Sequence, residues 1–408
     1  MDRFLLAVWI KNSSSVGYSF IYDTSILGRT FNEKQVACRM MLTIKSEEIV
    51  SETKAERLGI VIVHFGDDKL RTVKCLDSFI RAASWLKEKK PLIETSIIVA
   101  DNSGNLNLDK YRSLCCDVRH FNPGRNLGYA GACYVAAKLL ADCSLLLFSN
   151  NDIILRETSL LNLIETMKSL PDVGAIQPLV LVEGSSKVDS VGSTCNALMH
   201  GFNYSNWPVK PIRKFSLKNG LKVMESFGVD GMFLMLSRRA WEEVGGWDPE
   251  FFMFNEDGLL SWKLRLRGYR NYVALNSVVY HERGGTAEGY YLMKNPSYVK
   301  KNPVFSSYYT SRNKMLSILY VYADLWVVIY FSVSVLFEFV KNFMLSLKNK
   351  SALNLYYYFK ALTFILSRHS HVTFERSKAL RKFEARYFIK QGYILPFWAS
   401  ISLLLKKE

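Results

Sequence analysis

Residues 145–152 read LLLFSNND, an apolar run of strand length that closes on two amides and a carboxylate. In an open α/β sheet, ligands gather beyond the carboxyl ends of the strands, so Asp152 stands where a cation bridging phosphates would bind. Taken alone, such an acid is better explained as the N-cap of a following helix. A second acidic site lies in 247–257, WDPEFFMFNED, where Glu256 and Asp257 open a helical pattern of Leu259, Leu260, Trp262, Leu264 and Leu266. A helix N-terminus favours negative charge, which accounts for one acid better than for two. Phe251, Phe252 and Phe254 put apolar surface around the pair, and a carboxylate so placed has its pKa raised toward the range of a general base. The third element is 278–281, VVYH, a β-branched strand ending in His281. A lone histidine is more often structural than a ligand. Here Gly284 and Gly285 follow, a flexible loop that would let the ring approach a metal at Asp152.

These groups need a scaffold, and the pattern upstream supplies one. Strand-like runs at 60–63, 97–100, 118–121 and 145–149 alternate with helical patterns at 70–86 and 127–141. Strands separated by helices imply a mainly parallel sheet, the arrangement of a nucleotide-binding half. No internal repeat or low-complexity linker interrupts the chain.

The blocks IVIVHF, IIVADNS, NPGRNLGYAG, LLLFSNND, GGWDPEFFMFNED and SVVYHERGGT keep one order along 58–313. Together they resemble glycosyltransferase family 2, in particular its rhamnosyltransferase-like and galactofuranosyltransferase-like members; several concordant blocks are specific where one would be weak. The resemblance implies an α/β GT-A fold, with a nucleotide-binding half at 58–155 and an acceptor half at 156–313. It leaves an extension at 1–57 and a helical, basic and apolar region at 314–408.

Site roles follow from the resemblance. His64, Asp101, Asn102, Asn126, Gly128, Asn151 and Asp152 fall to the nucleotide, with Asp101 on base or ribose and the loop 126–128 at a helix start suited to phosphate. The NND motif offers one carboxylate where the family's motif has two, so Asp152 and His281 are the expected ligands of Mn²⁺ or Mg²⁺, the diphosphate itself supplying further oxygens. Asp257 is the expected general base and Glu256 its partner. Asp230, Gly231, Trp247, Arg312 and Asn313 are expected on the sugar and acceptor side, the Arg-Asn pair reaching a diphosphate. Many relatives carry a further acid two positions after the base; here that position is Leu259.

Charge divides the 408 residues unevenly. Residues 291–408 hold 18 Lys and Arg against 5 Asp and Glu, which is +13 of the total +16. Because that charge is interleaved with long apolar and aromatic runs, an anionic membrane surface is the expected partner and nucleic acid is not. The run 319–337 approaches spanning length, but an acid at Asp324 makes an in-plane or packed helix the preferred reading, with a single span kept open. The shorter runs 353–366 and 393–405 read as amphipathic helices. Seven cysteines without a CxxC pair fit a reducing cytosol.

The leading expectation is an inverting, metal-dependent transferase at the cytoplasmic membrane face. It would move a sugar, rhamnose first, from a dTDP- or UDP-sugar to a glycan or lipid-linked acceptor of cell-surface polysaccharide such as O-antigen, capsule or cell wall. Galactosyl or galactofuranosyl transfer, a catalytically silent membrane-associated protein, and a nucleotidyltransferase are the competing readings. The last expects a basic Gly-rich loop after the first strand, which 64–68, HFGDD, does not offer.

Overall fold

The computed structural model describes residues 5–9, 19–23, 56–111, 116–203, 215–218, 221–282, 303–323, 325–367 and 381–395. The chain forms two units, 1–54 and 55–408. In the first, β1 (Leu5–Trp9) and β2 (Ser19–Asp23) pair as an antiparallel hairpin.

The second unit opens with the predicted alternation. β3 (Glu56–His64), α1 (Lys69–Lys89), β4 (Ile93–Asp101), β5 (Asp117–Phe121), α2 (Gly128–Leu139) and β6 (Leu145–Asn150) place β6, β3, β4 and β5 side by side, all parallel. The apolar runs form strands because both faces are covered. Leu76, Phe79 and Leu86 of α1 pack on one face, and Ala132, Ala136 and Ala137 of α2 pack on the other.

Beyond β6 the sheet becomes mixed. β7 (Ile153–Leu155), α3 (Ser159–Lys168), β8 (Val173–Val182), β9 (Val188–Ser190), β10 (Ser193–Cys195), β11 (Gly201–Asn203), β12 (Phe215–Lys218), β13 (Leu221–Ser226) and β14 (Phe233–Ser237) follow. Then come α4 (Arg238–Glu243), α5 (Glu256–Arg267) and β15 (Arg270–His281). The strand order is β12-β13-β15-β8-β14-β6-β3-β4-β5, with β7 added on β15 and β9 on β8; β10 and β11 form a separate hairpin.

Among the described residues four helices follow: α6 (Pro303–Val321), α7 (Leu325–Lys348), α8 (Leu353–Ser367) and α9 (Ala385–Lys390). They share a core with α5 in which Trp262 meets Tyr322 and Phe388. The apolar run 319–337 is not one helix: α6 ends at Val321 and α7 begins at Leu325. Among the described residues, α7 alone is long and apolar enough to cross a membrane. Most of the expected amphipathic run 393–405 lies outside the described residues.

Candidate active site

Strand register assembles the acidic corner. Asp152 lies between β6 and β7, and the antiparallel pairing of β7 with β15 sets His281 opposite Ile153. This register brings the histidine in; Gly284 and Gly285, the loop expected to help, lie outside the described residues. His281 Nε2 is 3.1 Å from Asp152 Oδ2, and its Nδ1 is 2.6 Å from Asp189 Oδ2. Asp189, on β9 and buried, is a member of the site that sequence reasoning missed. With Asp189 accepting the Nδ1 proton, the Nε2 lone pair faces a carboxylate oxygen at 3.1 Å, and two electron-rich atoms so close require a cation between them, a proton or a metal. Asp152 and His281 are donor types that a divalent cation accepts, with Asp189 orienting the imidazole, while no group of three or more potential metal ligands converges among the described residues. In donor type the residues present fit the metal that the resemblance implies.

One expected result follows for Asp189. Asp189→Leu removes the group that fixes the His281 tautomer, and Mn²⁺ affinity measured by titration calorimetry falls about 10–100-fold. Asp189→Asn, whose amide oxygen still accepts the Nδ1 proton, loses less. Equal Mn²⁺ affinity in Asp189→Leu and the native protein would remove Asp189 from the site.

The second group of acids is brought next to the first by β14. This strand pairs antiparallel with β6, Phe233 opposite Ser149, and the Asn150 N–H donates to the Met232 carbonyl at 3.0 Å. The turn entering β14, Asp230-Gly231, thus lies beside the end of β6. Asp257 is tied to that turn: its Oδ2 accepts from the Gly231 N–H at 2.8 Å, and its Oδ1 from the Gly258 N–H at 2.7 Å. A Cβ on Gly231 would sit 3.2 Å from that of Asp257, so the small residue permits the approach. Burial pushes the Asp257 carboxyl up, while these backbone N–H groups pull the other way. For Glu256, burial and the neighbouring Asp257 outweigh a hydrogen bond from its own backbone N–H and push it up to about 8. Asp230, bonded to Ser190, rises to about 6 through burial and Asp257. Asp257 is therefore the member of the Glu256–Asp257 pair that ionises first, and Glu256 keeps its proton at neutral pH. Beside Asp257 opens a cavity of about 150 Å³ lined by Asp230, Ser193, Phe227, Ser261 and Trp262.

The Glu256 shift carries a stability consequence. Its folded-state pKa, about 8, stands above the ordinary 4.5, so between those values the unfolded chain releases a proton that the folded protein retains. Stability attributable to this group is complete below the lower value and is lost as pH rises toward the upper one. Glu256→Gln should flatten that decline, gaining on the order of a few kcal/mol relative to the native protein at the alkaline end. Thermal melts across the range check it; parallel pH profiles would contradict it.

The loop ahead of Glu256 holds three non-glycine residues with left-handed φ, Phe252 at 59°, Phe254 at 70° and Asn255 at 66°. Such backbone persists only where the surroundings enforce it. Here α6 does so. Asn313 Nδ2 donates to the carbonyls of Phe251, Met253 and Phe254 at 2.8, 2.8 and 2.7 Å. Arg312 donates to the carbonyls of Glu250 and Phe251, and Asn255 Nδ2 donates to Ser317 Oγ at 2.8 Å. Phe252 stacks on Tyr309. Arg312 and Asn313, expected at a diphosphate, are buried and clamp the loop that presents the acids. Trp247, expected near the acceptor, is also buried, edge-on to Tyr129 and Phe148. Leu259 packs in the core shared with Trp262, so an acid at that position would be buried without a partner.

The residues expected on the nucleotide side are also tied to the protein's own groups. Asp101 is fully buried; its oxygens accept from the N–H groups of Ser103, Gly104 and Leu106 at 3.0, 2.8 and 2.9 Å, and from His120 at 3.1 Å. Burial would raise its pKa, yet the Leu106 N–H, His120 and the other donors hold it below the ordinary value. Asp101 thus shapes the loop after β4. His64 is likewise buried, between Thr72 at 2.6 Å and Asn105 at 3.0 Å, and Asn151 donates to the same Thr72 hydroxyl at 2.8 Å. These three residues brace the cleft from beneath. Asn102 fastens the 126–128 loop through the Leu127 N–H at 3.1 Å and the Gly128 carbonyl at 3.0 Å, and exposed Asn126 accepts from the Gly128 N–H at 2.8 Å. Gly128, at φ +70°, cannot be replaced: a Cβ would lie 2.3 Å from the Phe252 carbonyl oxygen. The donor loop and the acid-bearing loop therefore touch at this point.

The sequence signature of Glycosyl transferase family group 2 matches residues 147–367, more than half of the chain. No curated protein matches the sequence significantly. Among solved structures, the crystal structure of GalNAc-T7 with UDP, GalNAc and Mn²⁺ superposes with a TM-score of 0.48 at 16% identity, covering 67% of this chain and 49% of that one. S. aureus TarS gives 0.41 at 14% identity, with 64% and 40% covered, and TarS 1–349 gives 0.42 at 14%, with 82% and 92% covered. The chain spans about half the length of the GalNAc-T7 structure and less of full TarS. The matched region begins within β6, just ahead of Asp152, and runs through the acid pair and His281 to the end of α8, and the chain belongs to glycosyl transferase family group 2.

Proposed function

We propose that the protein is an inverting, metal-dependent glycosyltransferase that moves a sugar from a nucleoside diphosphate to a hydroxyl of a glycan or lipid-linked acceptor. The observation that carries this reading is the pairing of two carboxylate sites at one end of the sheet. Asp152 and His281 face each other on one side, and Asp257 with Glu256 lies beside the cavity on the other.

Asp257 accepts the proton of an acceptor hydroxyl held in the cavity. As that oxygen bonds to the anomeric carbon, the bond from this carbon to the diphosphate oxygen breaks on the opposite face, and its electron pair leaves with the nucleotide. One displacement inverts the configuration. Glu256, protonated, places no second charge beside the base, and Asp230 is positioned to receive a sugar hydroxyl. Asp152 and His281 would hold Mn²⁺ or Mg²⁺, the imidazole favouring Mn²⁺, and that ion when bound neutralises charge developing on the leaving diphosphate.

Rhamnose from dTDP is the first choice of donor, ahead of galactose or galactofuranose from UDP, and cell-surface polysaccharide is the expected product. The basic C-terminal region would hold the enzyme at the cytoplasmic membrane face. A panel of dTDP- and UDP-sugars with Mn²⁺, scored by nucleoside diphosphate release, tests the donor. Release from dTDP-rhamnose supports the first choice, release from a UDP-hexose alone replaces it, and none from any donor overturns the enzymatic reading.

A further inference from the structure

Helix α7 buries a polar stripe. Its buried residues are Ser334, Glu338, Asn342 and Ser346, one every fourth position, flanked by the partly buried Tyr330, Phe331, Val335 and Phe339. Glu338 is fully buried; its carboxylate accepts from Ser311 Oγ at 2.6 Å and pairs with Lys314 at 3.5 Å and His200 at 3.4 Å. Burial would raise its pKa, but Lys314, His200 and Lys341 hold it well below the carboxylate range. Ser307 Oγ donates to Asn342 Oδ1 at 2.8 Å, and the Leu355 N–H donates to Ser346 Oγ at 3.2 Å.

The outward face is the apolar one. Leu336, Val340, Phe343, Met344 and Leu347 are exposed, Leu336 to 63%, and on α8 so are Tyr356, Phe359 and Leu366. Since 3.6 residues make a turn, Leu336 stands on the opposite side of α7 from Ser334. A soluble surface helix has the reverse pattern. α7 and α8 pack on each other through Phe339 against Tyr358 and Phe359, so their apolar faces adjoin. Lys348 and Lys350 stand at the junction between the two helices.

We propose that α7 and α8 form an in-plane shelf whose outward side chains enter the acyl layer of one leaflet of an anionic bilayer, while the Ser334–Ser346 stripe stays bound to α6. The occupant is lipid rather than protein because the exposed apolar surface runs continuously over two helices and is edged by lysines, which complement anionic headgroups. The same contacts weigh against spanning. A helix crossing the bilayer would have to withdraw Glu338 and Asn342 from Ser307, Ser311, Lys314 and His200 and present them to hydrocarbon. The inference deepens the membrane-proximal part of the proposed function. Its test involves no sugar transfer, so failure here and failure of the transferase reading are separable.

Spin labels at Leu336, Val340, Met344 and Leu347 of the full chain, added to vesicles of equal parts phosphatidylcholine and phosphatidylglycerol, read the geometry directly. The shelf requires all four labels to gain oxygen accessibility on binding and to report one common depth. A steady change of depth from Leu336 to Leu347 would show a spanning helix and overturn the shelf. No gain in oxygen accessibility, or protection of these positions by self-association in sedimentation runs without lipid, would overturn lipid as the occupant. As a second arm, the triple change Leu336→Ser, Phe343→Ser and Leu347→Ser should lower vesicle partitioning more than about tenfold while leaving the melting temperature near native; unchanged partitioning would also contradict the shelf.

Discussion

Asp257→Asn should lose transfer by about 10²–10⁴-fold in kcat while binding donor nucleotide as the native protein does. The amide is isosteric, but it cannot take the proton of the acceptor hydroxyl. Where native Asp257 accepts from the N–H groups of Gly231 and Gly258, the amide oxygen can keep only one of those bonds. The Asp230-Gly231 turn therefore loses one tie, and the melting temperature should fall modestly. Asp152→Ala should behave differently, weakening metal-dependent nucleotide binding itself, because Asp152 faces His281 in the other half of the site. The separation shows in a split between kcat and nucleotide affinity. If both substitutions weakened nucleotide binding equally, the assignment of base and metal ligand to separate residues would be wrong.

The second large effect is expected at a residue outside the chemistry. Asn313→Ala removes donors shared by three carbonyls of the left-handed loop, at Phe251, Met253 and Phe254. Each sparsely populated backbone conformation there stores on the order of 1–3 kcal/mol, and without the clamp the loop relaxes. Glu256 and Asp257 begin the helix that follows immediately, so they move with it. Displacements of this kind lower catalysis by about 10²-fold even when no reacting group is altered. Asn313→Asp should be no better than alanine, since a carboxylate cannot donate and would face the same carbonyls with negative charge. Nucleotide binding at the Asp152–His281 side should survive both. An Asn313→Ala enzyme with native kcat would show that the loop keeps its shape unaided.

The site was legible in the sequence wherever a residue type coincided with the end of an element. Asp152 follows an unbroken apolar strand, and Glu256-Asp257 open a helix behind aromatic residues, so their positions followed from local pattern. His281 was visible as a strand-end histidine, but its approach to Asp152 depends on the register of β7 against β15, which no local run encodes. Asp189 was invisible for the same reason. Its short run resembles an ordinary turn until β9 folds back on β8 and points it at His281.

Roles within the site are the harder inference. Asp101, His64, Arg312 and Asn313 carry groups suited to a nucleotide or diphosphate, and the sequence cannot tell a polar group aimed at a ligand from one aimed at its own backbone. The structure gives Asp101 to the 103–106 loop and Arg312 with Asn313 to the 250–254 loop. Fold class was the easier inference: burial on both faces of β3, β4 and β6 demands apolar runs, and those are printed plainly in the chain.

The most direct test of the central claim, a metal-dependent nucleotide-sugar site at Asp152 and His281, is titration calorimetry of the full chain with UDP and with dTDP, each in the presence and absence of Mn²⁺. Binding of one nucleotide that appears only with Mn²⁺, and that is lost in Asp152→Ala, is the expected result. Binding that is indifferent to Mn²⁺, or that survives Asp152→Ala unchanged, would contradict it.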